Sequence, residues 1–352
     1  MKNTYLVTGA GGFIGSQVTR LLLAEGHRVV GVDNLNDAYD VRLKHWRLQQ
    51  LEMEANFDFH DLDISAKAQL DTLFSHYAEG TERPFQGILN LAARAGVRQS
   101  VADPWIYYAT NTTGTLNLLE LCKEFTVNKF VLASTSSLYG TDNPMPWQED
   151  QPTDRPLSPY SASKKAAETL CHTYHYLYGI DVTIFRYFTV YGPAGRPDMS
   201  LFRFVQWISE GYPVTIFGDG QQSRDFTYVQ DIARGTVAGL RPVGYEIINL
   251  GSDEPVVLLD AIHMIETMVG RKANLHFQER HTADMPASWA DITKAEQLLN
   301  WRPQQSFAAG MQCLVDWYQE NRSWARHLDT GNSAATTAPA PRQQETSDAL
   351  YL

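Results

Sequence analysis

Tyr160 and Lys164 stand four residues apart in the run Ser158-Pro159-Tyr160-Ser161-Ala162-Ser163-Lys164. On a helix that spacing puts both side chains on one face, a turn apart. An ammonium beside a phenol favours the phenolate and draws a pKa of about 10 toward neutrality, so the phenol can move a proton at physiological pH. Tyr160 then serves as an acid/base and Lys164 as its tuner. Pro159 suits the first helical turn, where its missing N–H costs nothing, and Ser158 suits the cap before it. Alone, the same pattern also describes an aromatic packed on a helix beside a solvated lysine, so the chemistry rests on what the rest of the chain brings to the pair.

The start of the chain brings a nucleotide site. An apolar strand is expected over 5–8, followed by Gly9-Ala10-Gly11-Gly12-Phe13-Ile14-Gly15 and an amphipathic helix over 16–25 that ends at Gly26. Strand, glycine turn and helix are the setting a dinucleotide fingerprint requires. Gly9 allows the tight turn, Gly12 lets a pyrophosphate approach the backbone, and Gly15 lets the helix pack on the strand, with Phe13 and Ile14 carried along at the helix start. A second strand over 28–32 ends at Asp33 and Asn34. A carboxylate there hydrogen-bonds an adenosine ribose diol and repels a 2′-phosphate, which favours NAD over NADP.

The following elements alternate. A helix is expected over 37–54, then a strand over 57–61 running into Leu62-Asp63-Ile64. Asp63 and Ile64 can hold an adenine, although an acidic residue at a strand end also caps helices. A strand over 87–91 ends in Leu91, Ala92 and Ala93, small enough at the turn to leave room for a flat cofactor. A long helix over 104–125 leads to a strand over 129–133 and then Ser134-Thr135-Ser136-Ser137. Thr135 is read as a donor to a sugar oxygen and Ser134 as a backbone partner at the strand end. The alternation predicts an α/β fold, a Rossmann-type doubly wound parallel sheet that binds ligands at the strand C-terminal ends.

Composition narrows the classes. At 352 residues with 43% hydrophobic content the chain can bury a large core. Its net charge of −11 argues against a nucleic-acid partner. Three dispersed cysteines offer neither a disulfide framework nor a metal site and agree with a reducing compartment. No apolar run reaches membrane-spanning length and the N-terminus shows no signal peptide, so a soluble, cytoplasmic protein is expected.

Together, Gly9-x-x-Gly12-x-x-Gly15, Asp33, Ser134-Thr135-Ser136 before Tyr139-Gly140, and Tyr160-x-x-x-Lys164 resemble the extended short-chain dehydrogenase/reductase family, specifically its nucleotide-sugar epimerases and dehydratases. The likeness covers about residues 4–322. It implies a tightly held NAD, a catalytic set of Thr135, Tyr160 and Lys164, and a UDP- or dTDP-sugar substrate. Dehydratases and decarboxylases of the family carry acidic residues just after the threonine. Here those positions are Ser136 and Ser137, so the general acid for elimination is missing and an epimerase or reductase is left.

The segment Arg186-Tyr187-Phe188-Thr189-Val190-Tyr191-Gly192-Pro193-Ala194-Gly195-Arg196-Pro197-Asp198-Met199 closely resembles UDP-glucuronate 4-epimerases. A glucuronate carboxylate needs donors, for which Arg196, Thr189 and the backbone of Gly96 and Val97 are candidates, with Arg98 as a further one. Arg186 is read as a structural ion pair and Asp231 as a helix start. The stretches around Phe217 and Ser223-Arg224-Asp225 resemble the nucleotide-binding part of these enzymes, which implies Arg224 on the diphosphate and Phe217 against the uracil. Asp284 resembles the uridine-ribose ligand, and His281 departs from the arginine or glutamine of many members.

A smaller C-terminal substrate-binding lobe is expected from 189–227 and 274–328, with 1–188 and a returning segment of about 228–273 forming the NAD-binding domain and 329–352 a disordered tail. The resemblance also implies a homodimer paired through the 104–125 and 160–178 helices. Other readings stay open: a UDP-galactose or UDP-N-acetylhexosamine 4-epimerase, a nucleotide-sugar 4-reductase, and a non-catalytic NAD(H)-sensing regulator.

Overall fold

The structure, a computed structural model, describes residues 2–279 and 285–330. Its first half alternates strand and helix: β1 (Thr4–Thr8), α1 (Phe13–Ala24), β2 (Arg28–Asp33), α2 (Arg42–Leu51), β3 (Phe57–Asp61), α3 (Lys67–Tyr77), β4 (Gly87–Asn90), α4 (Val97–Ala102), α5 (Trp105–Tyr107), α6 (Gly114–Glu124), β5 (Lys129–Thr135), α7 (Pro159–Tyr178) and β6 (Asp181–Tyr187). The second half adds β7 (Thr189–Tyr191), α8 (Ser200–Glu210), β8 (Pro213–Phe217), β9 (Ser223–Tyr228), α9 (Val229–Ala238), β10 (Tyr245–Leu250), β11 (Pro255–Val257), α10 (Leu258–Val269), β12 (Asn274–Gln278), α11 (Thr293–Leu299) and α12 (Phe307–Glu320).

Seven strands form one sheet in the order β10-β6-β5-β4-β1-β2-β3, every neighbouring pair parallel. Both faces are covered, which is why β2 carries Val29, Val30 and Val32 and β5 carries Phe130-Val131-Leu132-Ala133, all buried. Val18 and Leu22 of α1 and Ile232 of α9 pack on one face, and Leu70 of α3, Leu118 of α6 and Cys171 of α7 on the other. The chain winds outward from β1 in one direction and from β4 in the other. The crevice between their C-terminal ends is therefore the switch point where a doubly wound sheet binds its ligand.

A second core gathers Phe202, Val205 and Trp207 of α8, Ile216 of β8, Phe226 of β9 and Leu314 and Tyr318 of α12. Two short sheets, β11-β9-β7 and β12-β8, frame it. The division into lobes differs from the expected one in two places. Within 228–273 only α9 and β10 join the large-sheet unit, while Leu258, Ala261, Ile262 and Ile265, spaced as one helical stripe of α10, face α8 and α12. Conversely, Ile292, Ala295, Leu299 and Trp301, expected in the smaller lobe, pack into the core with α9 and β10.

Two local expectations are also corrected and one is refined. The helix expected over 37–54 covers only Arg42–Leu51, because polar side chains capture the preceding backbone: Asp33 Oδ1 accepts from Leu35 N at 2.9 Å, Asn36 Oδ1 from Ala38 N at 3.1 Å and Asp40 Oδ1 from Arg42 N at 3.1 Å. The helix expected over 104–125 is present as one run from Trp105 to Glu124 that widens to a π-turn at Tyr108–Thr113, where the Asn111 side chain accepts from Arg94 N and donates to Ser163 Oγ. The expected tail begins too early, since Thr330 is buried and its hydroxyl accepts from Trp207 Nε1 at 2.9 Å. Residues 331–352 lie outside the described residues.

Candidate active site

The helix that carries the Tyr/Lys pair starts as its sequence dictates. Ser158 is extended, its Oγ accepts from Ser161 N at 3.2 Å, Pro159 fills the first turn, and Gly179 closes the helix with φ 67°. Tyr160, Lys164 and Glu168 then succeed one another on one face of α7. The β5 strand delivers Thr135 opposite them, with Thr135 Oγ1 accepting from Ser137 N at 3.1 Å.

Thr135, Tyr160 and Lys164 open onto a cavity of about 610 Å³ at the β1/β4 switch point. The glycine turn forms its floor. A Cβ on Gly9 would sit 2.8 Å from Ala92 N, and one on Gly15 would sit 2.0 Å from Gly9 O, so backbone occupies the space that side chains would take. The result is a shallow cradle of peptide groups at the start of α1 that fits a pyrophosphate. Gly12, Phe13, Ile14, Asp33, Asn34, Asp63, Ile64, Leu91, Ala92 and Ala93 line the same half. Asp63 also binds locally: Oδ1 accepts from Ser65 N at 2.8 Å and Oδ2 from Asn34 Nδ2 at 2.7 Å.

At the reacting end, burial pushes the Tyr160 phenol above its ordinary value. The hydrogen-bonding Thr135 hydroxyl and the Arg196 guanidinium act in the opposite direction. This corrects the expectation that Lys164 draws the phenol down. Burial itself pulls the Lys164 ammonium down to about 8, and the charge that supports it is Glu168, one turn behind on α7. Glu168 in turn accepts from Arg186 Nε at 3.1 Å and Nη2 at 3.0 Å, and from Ser134 Oγ at 2.6 Å. Arg186 and Ser134 are thus structural, as their sequence setting suggests. Asp231 sits in the first turn of α9, where its carboxylate receives Gln305 N at 3.0 Å.

Gly96, Val97, Arg98, Ser136, Ser137, Thr189 and Arg196 line the other half of the cavity. Arg196 is held by Asp198, with Nη2 2.6 Å from Oδ2 and Nε 3.0 Å from Oδ1. Arg98 lies over the Phe217 ring at 4.4 Å. Phe217 and Arg224 are not part of the wall among the described residues. Arg224 donates to Met285 O at 2.7 Å and to Ser223 O at 2.8 Å. Asp284 and His281 lie outside the described residues.

Motif reading missed three charged residues of the wall: Lys44, Asp198 and Arg203. Lys44 Nζ lies 3.4 Å from Asp33 Oδ1 although both side chains are buried. A lysine beside Leu43 and Leu48 on the inner face of an amphipathic helix was the available signal. Among the described residues no cluster of His, Cys, Asp or Glu could hold a metal ion, and no helix is long and apolar enough to cross a membrane.

A peptide cradle for a dinucleotide, meeting a threonine, tyrosine and lysine over one cavity of a doubly wound sheet, defines an enzyme of the extended short-chain dehydrogenase/reductase type. The chain belongs to the NAD dependent epimerase/dehydratase family, whose profile it matches over residues 5–251. It is 55% identical over 318 residues to a UDP-glucuronate 4-epimerase of Thermodesulfobacterium geofontis, covering 90% of this chain and 96% of that one. Among solved structures it is similar to the UDP-glucuronic acid 4-epimerase of Bacillus cereus in complex with UDP-glucuronic acid and NAD, at 39% identity and a TM-score of 0.83, covering 90% of this chain and 99% of the other. The UDP-glucose 4-epimerase of Thermotoga maritima with UDP-glucose matches with the same TM-score of 0.83 at 29% identity, covering 91% and 99%.

Proposed function

We propose that this chain inverts C4 of UDP-glucuronate to give UDP-galacturonate through a transient 4-keto sugar. The observation that carries the reading is that Thr135, Tyr160 and Lys164 meet the glycine cradle in a single cavity whose far half bears Arg98 and Arg196. The 55% identity to a UDP-glucuronate 4-epimerase over nearly the whole chain supports the same substrate. A UDP-hexose, the substrate class of the 29% identical Thermotoga relative, has no sugar carboxylate to bring to the Arg98 and Arg196 half of the cavity.

NAD fits the cradle, and when bound it supplies a hydride acceptor at C4 that returns the hydride to the opposite face. Tyr160, as phenolate, takes the proton of the C4 hydroxyl, and Thr135 hydrogen-bonds the same oxygen. Lys164 holds positive charge beside the phenolate and the nicotinamide ribose. After the 4-keto sugar turns over about its diphosphate, Tyr160 gives the proton back, so no net redox occurs. The ketone lies β to the carboxylate, which makes loss of CO₂ a hazard. Arg196 and Thr189 hold the carboxylate where its breaking bond lacks overlap with the carbonyl system.

The enzyme is further proposed to act as a cytoplasmic homodimer. Trp105 is 82% exposed and Tyr176 80%, aromatic surface on the two helices that would pair. The substrate assignment is tested by incubation with UDP-glucuronate, UDP-glucose and UDP-N-acetylglucosamine separately, resolving the sugars by NMR. Inversion of UDP-glucuronate in clear preference is expected, and preferred inversion of a neutral sugar would overturn it.

A further inference from the structure

Arg47 on α2 brings a guanidinium into the interior, where its side chain is 2% exposed. Among the described residues its hydrogen-bond partners are three carbonyls and one phenol. Nε and Nη2 donate to Ala194 O at 3.0 and 2.7 Å, Nη2 also to Gly195 O at 3.4 Å, and Nη1 to Gly11 O at 3.1 Å and Tyr39 Oη at 2.8 Å. These bonds use every N–H a guanidinium has. The acceptors lie in two separate parts of the cavity wall. Gly11 is inside the glycine cradle, where a Cβ would meet Asp33 Oδ2 at 3.3 Å. Ala194 and Gly195 lead directly into Arg196, in the loop after β7.

That loop does not hold its shape by itself. Ala194 is buried with φ 52°, a left-handed backbone that an L side chain disfavours. Its carbonyl receives two arms of the planar fork, which fixes the peptide where the local preference would not. Gly195 approaches the cradle so closely that a Cβ would lie 3.1 Å from Gly192 O and 3.5 Å from the Phe13 ring, and the Arg47 guanidinium lies over that ring at 5.7 Å. The Tyr39 ring joins the two arginines, with Arg47 at 5.6 Å and Arg196 at 5.5 Å from its centre.

Filling this space does not require a charge. An apolar side chain would pack there with less desolvation cost, so what the guanidinium adds is direction: one rigid plane that fixes two loops at once. Its helix is suited to the task because it belongs to both units. Leu48 and Leu51 of α2 pack with α1 in the large-sheet core, whereas Leu43 enters the second core and Trp46 meets Trp317 of α12 edge-on at 5.5 Å.

Resting on the reading of Arg196 as receiver of the sugar carboxylate, we infer that Arg47 is a positioning residue that sets the Arg196 loop in register with the NAD cradle. The test uses the full-length, NAD-loaded protein and its Arg47→Lys and Arg47→Met variants, with Arg196→Ala for comparison. NMR gives the ratio of decarboxylated pentose to UDP-galacturonate formed from UDP-glucuronate, and KM is measured beside inhibition by UDP, which has no sugar carboxylate. A lysine keeps the charge but cannot fork between two loops. Arg47→Lys should therefore shift the ratio toward pentose, as Arg196→Ala does, and raise KM by about tenfold with UDP inhibition unchanged. Arg47→Met should shift the ratio further. Loss of folded protein lowers the rate but does not move the product ratio, so the ratio separates positioning from stability. A wild-type ratio in Arg47→Lys, with Arg196→Ala shifted, overturns the inference and leaves the epimerase reading intact, as does an equal loss of UDP inhibition. Should Arg47→Met not fold, the ratio in Arg47→Lys decides alone. An unshifted ratio in Arg196→Ala, or no inversion of UDP-glucuronate by the wild type, overturns the parent reading and this inference with it.

Discussion

Arg196 Nη2 lies 2.6 Å from Asp198 Oδ2, and the same guanidinium acts with Thr135 against the burial that raises the Tyr160 phenol. On the proposed mechanism this cation, already paired with Asp198, also faces the phenolate that forms during catalysis and the carboxylate of the substrate. Replacing it with alanine removes a stabiliser of the phenolate, so the Tyr160 pKa rises. The ascending limb of the kcat/KM profile is expected to move to higher pH, and decarboxylated pentose should increase relative to epimer. A limb that stays in place contradicts the electrostatic link, and an unchanged product ratio contradicts the carboxylate role.

Glu168 supports Lys164 from behind while forming a bidentate pair with buried Arg186. In Glu168→Gln the ammonium loses that support and its pKa falls below about 8, so activity should be lost at lower pH on the alkaline side. Leaving Arg186 buried without its partner should also cost roughly 3–5 kcal/mol of stability, read from the denaturant midpoint. An alkaline limb identical to wild type would show that Glu168 is structural alone.

Lys164 itself is a stability liability. Its folded pKa of about 8 lies below the unfolded value of about 10.4, so between these values the unfolded chain binds more protons than the folded one. The penalty is full below the folded pKa and fades as pH rises toward the unfolded one. Lys164→Met should therefore raise the melting temperature at neutral pH, by roughly 1–3 kcal/mol in stability, while abolishing turnover. A lower melting temperature at pH 7 would mean the ammonium is held by more than Glu168.

Gly15→Ala would place a methyl 2.0 Å from Gly9 O, a contact the turn can relieve only by opening the cradle. Purified protein should lose its bound NAD, measured by absorbance after denaturation, and should be less stable. Retention of NAD at wild-type stoichiometry would contradict the cradle geometry.

Much of the site was legible because each motif has a local cause. The valines of β2 are buried on both faces, the glycines of the turn are forced by backbone approach, and Ser158-Pro159 marks a helix start whatever surrounds it. Long-range packing hid the rest. The segment before α2 looks helical until Asp33, Asn36 and Asp40 are seen to bond their own backbone. The assignment of α10 and α11 to opposite lobes depends on which partner each apolar stripe meets. Arg203 and Lys44 are single cations on buried helix faces, and no spacing rule separates such a residue from a solvated one. For Tyr160 and Lys164 the pairing was evident, but the direction of tuning depended on burial and on Arg196, brought in from beyond β7.

The account stands on a proton relay and a hydride acceptor meeting at the same sugar carbon. The most direct measurement is turnover of UDP-glucuronate carrying deuterium at C4, followed by NMR. It predicts UDP-galacturonate with the deuterium kept at C4 and none replaced from solvent. Washout of the label into water, or formation of epimer with no passage of the C4 hydrogen through the enzyme, would contradict it.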